Sequence, residues 1–372
     1  MTSPSLLPEG LRDRLPPEAE ALGRVRGAVL QTTELNGYAR VEPPLAEFEA
    51  TLLGRLKSSR PTDLLRVLDP VSQRMLALRP DITAQVGRIA ATRLAHRPRP
   101  LRLCYAGQVL KVRGTQLRPE REMCQAGAEI IGTDSVAAVI EAVRVALDAL
   151  IAAGATGLSI DLTLPDLVPL LAAGPMPLPE GVLETVVAEL DGKDAGALEA
   201  LGASAYLPLI EAAGPIDAAI ARLALLDAGG LLASRLDGVR AIAAAIGDRA
   251  TLTLDPTERH GFEYQSWIGF SIFAAGVRGE VGRGGSYSIL HSNGREEPAV
   301  GFSLYLDPIV DAGMAPEGRD RVFLPLGTDD ATAARLRAEG YATVAALSDA
   351  DDASALGCTH IWADNALQSL GA

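Results

Sequence analysis

Cysteine is scarce and scattered: Cys104, Cys124 and Cys358 are the whole supply, odd in number and without a CxxC pair. That excludes a disulfide framework and a thiolate zinc site and fits reduced core thiols. Histidine is as sparse. His96, His260, His291 and His360 never fall three or four residues apart, so no metal site is expected. Apolar runs are broken by charge or glycine well before the ~20 residues that a membrane span requires. The segment Met1–Gly10 has no basic stretch followed by an apolar one, so no signal peptide is expected. Positive charge is in deficit, with 34 Lys and Arg against 47 Asp and Glu and a formal charge of −13. A sequence-independent DNA binder needs a cationic face and is excluded on this balance, whereas RNA recognition through a local basic patch is not. These absences lead to the expectation of a soluble, cytoplasmic protein with no membrane and no DNA partner.

What is present suits packed cores. Of 372 residues, 48% are hydrophobic and 22% charged, enough for two or three domains and too apolar for global disorder. Residues 16–36 predict a helix, opened by Pro16 and Pro17, with Ala21, Leu22, Val25, Val29 and Leu30 at three- and four-residue spacing. Gly37 ends it, and Tyr38–Val41 begins a short strand stopped by Pro43 and Pro44. Leu64–Leu68 and Arg74–Leu78 read as strands around Asp69-Pro70, and a helix follows from Ile82 to Leu94. Leu101–Val112 and Arg121–Ile131 read as an antiparallel pair. Ser135 caps a helix that reaches Ala153 and stops at Gly154. From there to Ile246 the chain is rich in Ala and Leu, with Tyr206 its lone aromatic residue, which predicts several short helices packed through small side chains. Strands return at Thr251–Leu254, Gln265–Ala274, Glu280–Gly282 and Ala299–Tyr305 and are expected to rejoin the first sheet. A tail after Arg321 reads as strand, helix and strand, with a last strand at Thr359–Trp362.

Few motifs carry chemistry by themselves. Gly276, Gly279, Gly282, Gly284 and Gly285 lack the GK[ST] ending of a P-loop and have no helix opening directly after them. A hairpin turn with close backbone approach is the better account. Gly301-Phe302-Ser303-Leu304-Tyr305 misses the last glycine of a nucleophile elbow. In 121–129 the strand period puts Arg121, Met123, Gln125, Gly127 and Glu129 on one face, with Glu122, Cys124, Ala126, Ala128 and Ile130, mostly small and apolar, on the other. Gln125 and Glu129 beside Gly127 make a polar floor with room above it. Burying such groups costs free energy without partners, so the floor either holds a polar ligand or is simply solvated, and periodicity does not choose. A pairing of Glu129 with Arg121 on the same face is a further structural alternative.

These residues, taken in order, resemble a family. Gly37-Tyr38 to Pro44 is similar to the helix–strand–Pro dimer motif of class II aminoacyl-tRNA synthetases. Leu78-Arg79-Pro80-Asp81-Ile82-Thr83, Leu101–Gly107 and Gln125-x-Gly127-x-Glu129-x-x-Gly132 resemble histidyl-tRNA synthetase in order and spacing. Gly284-Gly285-Ser286-Tyr287 is similar to that family's GGRYD, and Pro298–Ser303 to the start of its motif 3. The resemblance implies an α/β (α+β) fold: an antiparallel sheet flanked by helices over 1–133 and 251–315, a helical insertion over 134–250, and a small α/β domain over 318–372. It also implies a histidine-binding set of Asp81, Thr83, Arg121, Gln125, Glu129, Tyr264 and Tyr287, with no cofactor.

Three departures bear on function. Lys111 aligns with the motif 2 arginine that binds the ATP α-phosphate, His260 with the arginine of the histidine-specific segment, and Pro308 with the motif 3 arginine. Guanidinium forks hold phosphate bidentately as ammonium cannot, and proline offers no side-chain donor. The tail is also too short for the family's anticodon-binding domain. The pattern resembles the family of ATP phosphoribosyltransferase regulatory subunits. Membership implies a non-catalytic subunit in the first step of histidine biosynthesis, a short-form catalytic subunit as partner, a self-dimer through 37–44, and feedback inhibition by histidine. A divergent but active histidyl-tRNA synthetase is the alternative.

Overall fold

The antiparallel pair expected at Leu101–Val112 and Arg121–Ile131 forms, and a large sheet is built around it. The computed structural model describes residues 6–53, 64–114, 119–227, 229–259 and 265–371. The chain divides into two compact units, Met1–Pro316 and Glu317–Ala372.

In the first unit the strands are β1 (Ala39–Arg40), β2 (Ala46–Phe48), β3 (Arg66–Leu68), β4 (Met75–Leu78), β5 (Leu101–Leu110) and β6 (Glu122–Ile131). They continue with β7 (Ser159–Thr163), β8 (Gly214–Pro215), β9 (Thr251–Leu254), β10 (Gln265–Phe273), β11 (Gly282–Leu290) and β12 (Glu296–Tyr305). Among the described residues these make a nine-stranded sheet in the order β1-β5-β6-β12-β11-β10-β7-β9-β8 and a three-stranded one in the order β2-β4-β3. In the large sheet β1 runs parallel to β5 and β7 parallel to β9, while the other neighbours are antiparallel.

The two faces of β6 carry out the period-two division. Cys124, Ala126, Ala128 and Ile130 are buried in one core with Val25 and Val29 of the helix Glu18–Leu35 and with Val139, Val143 and Leu147 of the helix Val136–Ala152. Small side chains on the strand and Ala138, Ala142, Ala146 and Ala149 on the helix let backbones approach closely. Ser135 caps that helix by accepting from the Ala138 N–H, and Gly154 closes it at φ +97°. The opposite face packs Met123 and Ile131, with Tyr105 and Tyr287, against Ile82 and against Val86 and Ala90 of the helix Thr83–Ala91.

The stretch 134–250 departs from the helical expectation. Its helices are present, but Ser159–Thr163 is a strand lying between β10 and β9 in the large sheet, and Gly214–Pro215 adds a strand at its edge. Ser159-Ile160-Asp161-Leu162-Thr163 is short, and its hydrogen-bond partners lie about a hundred residues downstream, so its strand character comes from pairing more than from local propensity. The expectation at Glu280–Gly282 grows into the nine-residue β11, whose glycines mask its β character. Gly276 and Gly279, at φ +77° and +74°, make the turn before it.

In the second unit β13 (Arg321–Leu324), β14 (Ala342–Ala345), β15 (His360–Ala363) and β16 (Ala366–Ser369) form a sheet in the order β14-β13-β15-β16. Asp329 caps its helix Asp330–Ala338 by accepting from the Thr332 N–H. β16 lies beyond the sequence-based expectation. No helix among the described residues is long and apolar enough to cross a membrane.

Candidate functional site

Sheet register brings distant residues into rows. Tyr105, Gly127 and Ser303 are partners across β5, β6 and β12. Glu129, Gly301, Gly285 and Gly269 form the next row across β6, β12, β11 and β10. The glycines give up side-chain space to their neighbours: the Glu129 carboxylate lies over Gly301 and the Gln265 amide over Gly285. A small pocket opens beside them, lined among others by Asp81, Thr83, Glu129, Gln265, Tyr287 and Ser303.

The polar groups under it form one connected network. The Tyr105 hydroxyl donates to Glu129 Oε1 (3.1 Å) and the Tyr287 hydroxyl to Glu129 Oε2 (2.8 Å). Tyr105 has one proton, which it gives to Glu129, so Ser303 Oγ (3.0 Å) and Thr83 Oγ1 (3.3 Å) serve as donors to it. Gln125 Nε2 donates to Asp81 Oδ2 (2.6 Å) and to Ser303 Oγ (2.7 Å), while Gln125 Oε1 accepts from the Ile82 N–H (3.0 Å). Asp81 Oδ1 accepts from the Thr83 N–H at 2.7 Å, ordering the start of the helix Thr83–Ala91. Five of the expected site residues, Asp81, Thr83, Gln125, Glu129 and Tyr287, therefore meet in one place.

Glu129 is the electrostatic centre of this arrangement. Burial pushes its carboxyl up to about 8, against the two tyrosine hydroxyls, which pull it down, and with Asp81 adding to the rise. Tyr105 is raised well above its usual range by the same burial, and then by the nearby Glu129 and Asp81. Among the described residues no cation pairs with Glu129. A buried carboxyl held only by hydroxyl donors gains most from a ligand that brings positive charge or N–H donors to it.

Arg121 stands apart from this group. Its guanidinium donates to the carbonyls of Lys111 (3.1 Å) and Glu9 (3.2 Å), tying the end of the β5–β6 hairpin to the N-terminal segment. Eight residues of strand, about 27 Å at ~3.4 Å each, separate it from Glu129, so the pairing of those two does not form. The positions that depart from the synthetase pattern have identifiable local roles. The Lys111 ammonium lies 5.8 Å from the ring centroid of Tyr305, a pocket-lining residue. Pro308 is in the first turn of the helix Asp307–Asp311, where its missing N–H costs nothing. Asp307 beside it accepts from the Cys124 N–H (2.6 Å) and from Arg14 (2.9 Å), so this helix is fastened to β6 and to the N-terminal segment. His260 and Tyr264 lie outside the described residues.

Sequence reasoning missed Tyr105, Ser303, Gln265 and Arg283 as members of the site. Tyr105 and Ser303 lay inside segments already singled out, but only the register reveals that they flank Gly127. Gln265 closed the segment that resembles the histidine-specific one without being singled out in it, and Arg283 had no local signal. No group of three or more metal-ligating side chains occurs among the described residues.

The chain is similar to proteins of one family in both sequence and fold. A family model described as histidyl-tRNA synthetase matches residues 10–309. An ATP phosphoribosyltransferase regulatory subunit from Rhodospirillum centenum is 46% identical over 378 residues, covering 99% of this chain and 97% of the relative. One from Paramagnetospirillum magneticum is 44% identical over 366 residues, covering 96% and 95%. Among solved structures, an ATP phosphoribosyltransferase regulatory subunit/histidyl-tRNA synthetase from Bacillus halodurans C superposes with a TM-score of 0.80 at 23% identity, covering 96% of this chain and 97% of that one. Histidyl-tRNA synthetase from Nostoc sp. PCC 7120 gives a TM-score of 0.79 at 16% identity, covering 97% and 91%. At such identities the solved structures establish the class II synthetase-like fold alone.

Proposed function

The chain belongs to the histidyl-tRNA synthetase family and, within it, to the ATP phosphoribosyltransferase regulatory subunits, and we propose that it is a non-catalytic histidine sensor for a short-form catalytic subunit. In this reading the catalytic subunit needs the chain for activity, and histidine bound to the chain inhibits the assembly.

The observation that carries the reading is Glu129. Its buried carboxyl meets two tyrosine hydroxyls and no described cation, at the edge of a pocket. Histidine is the matching ligand: its α-ammonium donates to Asp81 and, by displacing the proton that burial holds there, to Glu129, while Gln125 donates or accepts and Tyr287 walls the imidazole. The adenylating chemistry of the synthetases needs dense positive charge at the phosphates. A lysine at 111 and a proline at 308 take that away while the amino-acid set is kept, which is the composition of a site that binds its ligand without activating it. Inhibition follows if histidine binds one state of the assembly more tightly than the other.

The segment 37–44 supports self-association. It places β1 at the edge of the large sheet, and an edge strand is a natural place for a symmetric contact. The direct test is phosphoribosyl transfer by the short-form catalytic subunit, assayed alone, with this chain, and with this chain plus histidine.

A further inference from the structure

Gln265 begins β10 opposite Tyr287 of β11, on the wall of the same pocket. Its Nε2 donates to the Gly284 carbonyl at 2.7 Å, which fixes the orientation of the amide, since a flipped amide would set two carbonyl oxygens against each other. Oε1 is then directed over Gly285, in the space a side chain there would fill: a Cβ at 285 would lie 2.3 Å from it. Among the buried side-chain polar atoms of the described residues, Gln265 Oε1 is the one with no hydrogen-bond partner. Every other polar group named at this site is satisfied within the protein. A buried carbonyl oxygen left unpaired costs on the order of 1–3 kcal/mol, so an unmet acceptor at a pocket wall marks the place of a donor that arrives with a ligand.

We infer that Gln265 Oε1 accepts a hydrogen bond from the ring N–H of the bound heteroaromatic amino acid and so sets the specificity of the pocket for an N–H-bearing ring. This rests on the histidine reading above and adds the group that reads the ring. A neutral amide suits the task. It accepts from imidazole or imidazolium alike and adds no charge to a pocket that already holds the carboxyls of Asp81 and Glu129. A ring of the same size without N–H, or with that nitrogen methylated, leaves Oε1 unpaired or clashes with it.

The test is calorimetric titration of the full chain with L-histidine, its two ring-N-methyl isomers and thiazolylalanine, for wild type, Gln265→Met and Gln265→Glu. Wild type is expected to bind histidine about tenfold or more tightly than thiazolylalanine and than one methyl isomer, the range expected for losing one buried partner. Gln265→Met should lower histidine affinity by a similar factor and leave thiazolylalanine unchanged, so that the preference collapses. Gln265→Glu keeps an acceptor but loses the bond to the Gly284 carbonyl that aims it and adds charge, so it should recover only part of the preference. Equal wild-type affinity for all four ligands would overturn the inference and leave Oε1 to an ordered water. That comparison needs no variant and so survives any failure of Gln265→Met to fold. Absence of histidine binding to wild type would instead overturn the pocket reading itself, and the inference with it.

Discussion

Glu129 and Gly301 face each other across β6 and β12, and the carboxylate of one occupies the side-chain space of the other. A Cβ placed on Gly301 would lie 1.7 Å from Glu129 Oε2 and 2.6 Å from the Ala128 carbonyl. The glycine is what lets the carboxylate lie flat on the sheet between Tyr105 and Tyr287. Gly301→Ala is therefore expected to displace Glu129, to destabilise the chain by roughly 1–3 kcal/mol as overpacking does, and to weaken histidine binding at least tenfold. Melting curves and calorimetry check this, and a variant with wild-type affinity would show that the carboxylate has no part in the pocket.

Glu129 also makes stability depend on pH. Its carboxyl is held at about 8 by burial against an ordinary 4.5. Between those values the unfolded chain has released the proton and the folded chain has kept it, so rising pH favours unfolding by up to about 1.4 kcal/mol per unit. Below the window both states hold the proton and above it neither does, so the penalty is constant at either end. Glu129→Gln does not titrate. Denaturant unfolding is expected to show its stability rising relative to wild type across the window and levelling above it. A stability difference that does not vary with pH would contradict the burial argument.

Histidine-dependent ATP–pyrophosphate exchange is expected to be absent if, as the resemblance implies, Lys111, His260 and Pro308 stand where the synthetases carry arginine donors. Exchange above a no-enzyme control at saturating ATP and histidine would restore the synthetase alternative.

The parts of the site that the sequence disclosed are those set by local periodicity or by a contiguous motif. Gln125, Gly127 and Glu129 share a face because strand side chains alternate, and Asp81 and Thr83 sit two residues apart at the opening of a helix. The parts it hid depend on register. Ser303 meets Gln125 across 178 residues of chain, and Gln265 reaches Gly284 through the pairing of β10 with β11. The same distinction applies to the fold. Ser135 announced its helix through a cap, whereas Ser159–Thr163 became a strand only by insertion between two others. The alternative pairing of Glu129 with Arg121 fails because face-sharing is necessary for contact and not sufficient: eight residues of strand separate the two.

Sedimentation of the isolated chain is expected to give a dimer or a larger species, through the surface that includes 37–44 and the edge strand β1. A monomer at micromolar concentration would contradict that assignment.

Glu129→Ala is expected to weaken histidine binding by roughly 1–3 kcal/mol, the cost of removing a charged hydrogen-bond partner. In an assembly with the catalytic subunit it should blunt inhibition and spare the uninhibited rate. Unchanged affinity and unchanged inhibition would move the histidine site elsewhere, to the contact between subunits.

The central claim is that this chain completes and restrains a catalytic partner, and one reconstitution tests it: phosphoribosyl transfer by the short-form catalytic subunit, measured with and without the chain and across a histidine titration. Little activity is expected from the catalytic subunit alone, full activity with the chain, and inhibition by histidine that is relieved in Glu129→Ala. Equal activity with and without the chain, or inhibition by histidine of the catalytic subunit alone, would contradict it.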